Sequence, residues 1–231
     1  MSEQAEVPRT MQRRAAGLAL AAAGVIFLLA ESITAAAWTD PPYSYTYHYI
    51  SDLGVHGPLE ALGQFMYSPL AWVMNTGFFL FGIAVFAGVA LLNGLRGWRR
   101  WGLCLLALLV GAGGVVLAFF PGDGEADRLG NVDYHGLGAM AAIVGGNVLI
   151  ILLGRLHRRL GLARKTGKIM VLLGAFGLVS MVAFVVVAGS GANILIGLVE
   201  RCAVYPVLIG LLCAGLSIGN RQSLVRHPLW G

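Results

Sequence analysis

Ionisable side chains are scarce in this chain, and those far from any basic run are the ones that could do chemistry. His48, Asp52 and His56 are spaced four apart, with Ser51 beside Asp52, and His135 follows Asp123 and Asp133 in a later segment. Imidazole and carboxylate together suit zinc, so His48, Asp52 and His135 are candidate metal ligands. A bound metal would lower the pKa of a water enough to make hydroxide available for attack on an ester, amide or phosphoester. The same His48, Asp52 and His135, with Ser51 as nucleophile, are the candidate catalytic groups. A second set, Glu31, Glu200 and Arg201, lies inside long apolar runs. Charges at such depth are costly and face a partner or a functional site. Arg201 adjoins Glu200, but neighbours on a helix point about 100° apart, so Glu31 or an acid of another loop is its better partner. With Asp123 and Asp133 these three are candidate ligand-binding residues, and the guanidinium fork would suit a phosphate headgroup.

The elements that must position these residues are membrane helices. Of 231 residues, 58% are hydrophobic and 12% charged, and the mean hydropathy is +0.77. A soluble domain carries about twice that share of charge. Apolar runs at Ala15–Trp38, Pro69–Leu95, Trp98–Phe120, His135–Gly154, Met170–Ala188 and Ile194–Ile218 each approach or exceed the roughly 20 residues that span a bilayer as a helix. The expected fold is all-α: one polytopic bundle of six transmembrane helices over residues 1–231, with 33 glycines suited to close helix packing. The run Ala35-Ala36-Ala37 could end a signal peptide, but the first apolar run is too long for one, and an uncleaved anchor is expected.

Orientation follows from charge. The N-terminal segment 1–14, the second-to-third and fourth-to-fifth connections and the tail 219–231 hold 14 of the 16 Lys and Arg, whereas nine of the 11 acids lie toward the other side. The positive-inside rule then gives an N-in, C-in protein of the plasma (inner) membrane, with the loop 39–68 extracytoplasmic. The net charge of +5 reflects that topology and contact with anionic lipid; no nucleic-acid partner is implied. The three cysteines, Cys104, Cys202 and Cys213, fall within spans and indicate no disulfide framework.

The expected site therefore gathers at the extracytoplasmic ends. Loop 39–68 carries tyrosines at alternate positions, Tyr43, Tyr45, Tyr47 and Tyr49, readable as a short strand or an interfacial aromatic belt. Ser51-Asp52-Leu53-Gly54 reads as a tight turn. Asp133 is placed to cap the fourth span, with His135 in its first turn.

These residues carry a resemblance. His48-Tyr49-Ile50-Ser51-Asp52-Leu53-Gly54, Asn75-Thr76-Gly77, Phe120-Pro121-Gly122-Asp123, His135-Gly136 and Gly197-Leu198-Val199-Glu200-Arg201 resemble, in order and spacing, the bacterial and archaeal membrane proteins grouped as domain-of-unknown-function 998. The Ser-Asp-Leu-Gly segment is also similar to the Ile-Ser-Asp-x-Gly loop of the Frag/DRAM-like proteins, six-helix proteins linked to lipid remodelling. The first resemblance implies fold and a site on the outer face; it implies no activity.

Three functions fit. One is a protein that binds a lipid headgroup, or an accessory subunit docked on a membrane partner or a second copy. The alternative is a metal-dependent hydrolase or transferase acting on a lipid or lipid-linked substrate at the outer leaflet, with zinc as the possible cofactor. A small transporter is the third; no repeated half or broken helix pair speaks for it.

Overall fold

The computed structural model describes residues 3–220. Six of its helices are long and apolar enough to cross a membrane. They are α1 (Glu3–Ala37), α2 (Ala71–Ala90), α3 (Trp98–Phe119), α5 (Tyr134–Arg155), α7 (Arg164–Gly189) and α8 (Ile196–Asn220). Two short helices, α4 (Glu125–Leu129) and α6 (His157–Leu160), lie in connections. The chain is a multi-pass, lipid-contacting all-α bundle. The expected tail 1–14 is largely helical, continuous with α1 from Glu3. Most of the tail 219–231, with Arg221, Arg226 and His227, lies outside the described residues.

The six long helices form a closed ring. Each packs on the next in the chain, and α8 closes against α1; α5 also touches α8 across the middle. Glycines mark the seams. A Cβ on Gly17 would sit 2.8 Å from the Gly215 carbonyl oxygen, one on Gly82 2.5 Å from that of Gly111, and one on Gly154 2.6 Å from that of Gly167. In lipid no hydrophobic effect drives helices together, so backbone approach through small residues supplies the packing. By contrast α7 turns Leu172, Val179, Val182 and Val186 outward, as a lipid-facing stripe would.

Basic side chains knit the end opposite the long loop. Arg100 donates to the carbonyls of Leu92 (2.9 Å) and Ala90 (3.1 Å), closing the exposed C-terminus of α2. Arg13 reaches from α1 to the Leu160 carbonyl at 2.8 Å. Some residues that mark topology in the sequence thus also satisfy helix ends.

At the long-loop end, the alternating tyrosines form no strand. Residues 43–49 run through turns, and the short antiparallel hairpin lies further on, β1 (Leu59–Ala61) with β2 (Gln64–Met66). The Ser51–Gly54 segment is a single 3₁₀ turn. It dips into the bundle: Ile50, Asp52 and Leu53 are buried. Asn75 of α2 donates to the Gly54 carbonyl at 3.0 Å from below.

Candidate functional site

Arg201 is the hub of the long-loop end. Its Nε and Nη2 lie 3.0 and 2.8 Å from Glu31 Oε1. Nη1 donates to the carbonyls of Tyr45 (2.8 Å), His48 (3.2 Å) and Gly197 (2.9 Å). Nη2 also donates to the Tyr43 hydroxyl at 2.5 Å, which passes the bond on to the Tyr49 carbonyl at 2.9 Å. The guanidinium sits over the Tyr45 ring, 4.8 Å from its centroid. Tyr205, one turn beyond Arg201, donates to both oxygens of Glu31 at 3.1 and 3.2 Å. Every nitrogen of the fork is occupied by the protein itself. The phosphate clamp read from the sequence therefore has no free donor here; Arg201 holds the loop.

Burial and the Arg201 charge act on the loop. Burial raises the Tyr43 phenol well above its ordinary value, so it stays a donor. Burial first, and the carboxylates of Glu200 and Asp52 next, push Tyr49 up to about 12. Burial, with Arg201 beside it, lowers the His48 imidazole. His48 lies stacked near Trp38 and Tyr43, and its Nδ1 accepts the Ser44 amide at 2.8 Å.

The second arrangement is a pair of carboxyls held by adjacent amides. The Tyr49 amide donates to Asp52 Oδ2 at 2.8 Å, and the next amide, Ile50, donates to Glu200 Oε2 at 2.5 Å. Consecutive backbone nitrogens are less than about 4 Å apart, so the two carboxyls share one small region. Asp52 Oδ1 is buried with no partner. Burial, and then the Glu200 charge, raise the Asp52 carboxyl well above the usual carboxylate range.

Beneath the 3₁₀ turn lies a cavity of about 50 Å³ between α1, α2, α3, α5 and α8. Its walls are apolar, with Phe27, Phe78, Phe81 and Leu117 prominent, and its polar lining consists of Ser51, His135 and Glu200. That volume is room for a few waters or methylene groups. His135 lies at the border, because it also lines a wider, open vestibule of residues 119–125 and 129–135. Its Nδ1 is 2.7 Å from the Phe120 carbonyl. A carbonyl only accepts, so a neutral His135 carries its proton there and leaves Nε2 as an acceptor.

The remaining candidates serve local structure. Asp133 caps α5, accepting the Gly136 amide at 2.8 Å, and Asp123 accepts the Glu125 amide at 2.9 Å at the start of α4. His56 is exposed. The zinc set of His48, Asp52 and His135 is not assembled: among the described residues no three His, Cys, Asp or Glu side chains could hold one metal ion. The fourfold spacing of His48, Asp52 and His56 needed a helix, and the chain turns instead.

Sequence reasoning missed Tyr205 and the cavity walls. Tyr205 was findable, because it stands four residues after Arg201 and so on the same helix face. The cavity walls come from five helices and carry no local signal.

No curated protein and no solved structure matches the chain. The family described as "Protein of unknown function (DUF998)" matches residues 11–217. The segments that interlock around Arg201, Glu200 and Asp52 lie within that match, and the chain belongs to this family of membrane proteins.

Proposed function

We propose that this protein binds the polar end and first methylene groups of a lipid or similar amphiphile under the 3₁₀ turn, the rest of the chain lying outside the cavity. The observation behind this reading is the cavity itself, apolar on five helices and polar only at Ser51, His135 and Glu200. Binding pockets combine that kind of wall with a few convergent polar groups. The Glu31–Arg201 pair and its tyrosines then serve as the fixed roof support. On the positive-inside argument the site faces the extracytoplasmic side of the plasma membrane.

A second reading is acyl transfer. Ser51 and His135 line the same cavity, and the Phe120 carbonyl orients the imidazole so that Nε2 is free to act as a base. This replaces the zinc-dependent hydrolase with a metal-free one.

Native mass spectrometry from nanodiscs tests the binding reading. A lipid adduct is expected on the wild type and not on Ala142→Phe, which fills the cavity wall; equal adducts on both would end it. Labelling by a fluorophosphonate that is lost in Ser51→Ala would favour the acyl-transfer reading.

A further inference from the structure

We propose that the polar end of the cavity selects a protonated amine, carried on an aliphatic chain, and rejects a phosphate. This rests on the amphiphile-binding reading above and names the headgroup class. Three buried carboxyl residues, Glu31, Asp52 and Glu200, surround a single buried cation, Arg201, among the described residues. Arg201 spends its charge on Glu31 and its remaining donors on loop carbonyls and Tyr43. Among the described residues no buried lysine or second arginine stands by Asp52 or Glu200.

One acceptor at the cavity wall points the same way. Glu200 is 7% exposed and lines the cavity; among the described residues its hydrogen bond is the Ile50 amide on Oε2, which leaves Oε1 for a ligand. A carboxylate accepts about four hydrogen bonds when satisfied, and buried acceptors without donors are rare in folded proteins. His135 also lines the cavity, and its neutral ring, bonded through Nδ1 to the Phe120 carbonyl, offers no second donor. Ser51 alone can both donate and accept. A phosphate would bring more acceptors and negative charge to this wall. An ammonium brings three donors and the missing positive charge.

The test uses wild-type protein in phosphatidylcholine nanodiscs with three probes of equal chain length: dodecylamine, dodecanol and dodecyl phosphate. Occupancy is read by native mass spectrometry near neutral pH, with Ala142→Phe as the blocked-cavity control. The expected order is amine, then alcohol, then phosphate, with the amine at least about tenfold tighter than the phosphate. Glu200→Gln is expected to shrink that ratio to within about twofold. Phosphate binding as tightly as amine in the wild type overturns the amine proposal while leaving a lipid pocket in place. So does an amine preference that survives in a folded Glu200→Gln. If none of the three binds better to wild type than to Ala142→Phe, the amphiphile reading itself fails. The wild-type order decides the matter even where Glu200→Gln does not fold.

Discussion

Arg201 and Glu31 stand 170 residues apart in the chain and 2.8 Å apart in the bundle. Both are buried, so removal of either leaves the other as an uncompensated charge. Glu31→Ala is expected to cost about 3–5 kcal/mol of stability. The double variant Glu31→Gln with Arg201→Met should recover part of that loss, because no lone charge remains. Arg201→Lys should not rescue, since a lysine cannot reach Glu31, three carbonyls and Tyr43 together. Reversible unfolding in mild detergent measures all three against the wild type.

Gly197 gives a sharper probe of the loop. A Cβ there would lie 2.2 Å from the His48 carbonyl oxygen and 2.8 Å from that of Tyr45. Gly197→Ala should therefore lift the loop off α8, at about 1–3 kcal/mol, and speed proteolysis within residues 40–60. Gly102→Ala in α3 is the contrast. Nothing lies within 4 Å of a Cβ at that position, and the change should be neutral or stabilise by up to about 1 kcal/mol through helix propensity.

Much of this was legible before the fold. Six spans could be located because a helix crossing lipid needs a fixed apolar length, although α1 and α7 begin at Glu3 and Arg164, well before their apolar runs. Glu31 and Arg201 could be paired because a charge at that depth needs a counter-charge. Asp133 could be read as a cap because its place before an apolar run leaves unpaired amides to satisfy. The tyrosine segment was ambiguous: period-two spacing allowed a strand as well as an aromatic belt, and no strand forms because Tyr43 and the carbonyls of Tyr45 and His48 are claimed by Arg201. The Asp52–Glu200 neighbourhood was hidden for a related reason. It exists only once the loop folds down and sets adjacent amides on the two acids, 148 positions apart in the numbering.

The Asp52 carboxyl makes stability depend on pH. Its folded value is raised, first by burial and then by Glu200, with the Tyr49 amide and Arg201 opposing. The unfolded chain releases this proton near pH 4, whereas the folded chain keeps it to a higher pH. The stabilisation is therefore complete below about pH 4 and is lost as pH climbs through the raised folded value. Thermal midpoints should fall from pH 4.5 to 8 in the wild type. Asp52→Asn should flatten that slope and be the more stable protein at pH 8, because its amide is neutral and can donate.

Orientation can be read with single cysteines in a background lacking Cys104, Cys202 and Cys213. Ser190→Cys lies at the long-loop end and Trp98→Cys at the basic end; both positions are exposed. The positive-inside reading expects a membrane-impermeant maleimide to label position 190 on intact cells and position 98 only after lysis. The reverse pattern would place the cavity mouth on the cytoplasmic side.

The ring closes through its first and last members, and this sets an order of assembly. Ribosomes add about 5–20 residues per second, so the 170 positions between Glu31 and Arg201 take roughly 10–30 s to make. Throughout that interval α1 sits in the bilayer with an acid whose counter-ion has not been synthesised. A nascent chain that stalls before α8 keeps that acid unmatched and its glycine seam open along one side. The face of α1 that meets α2 can pack early, whereas the face that carries Glu31 toward Arg201 closes only once α8 is in place.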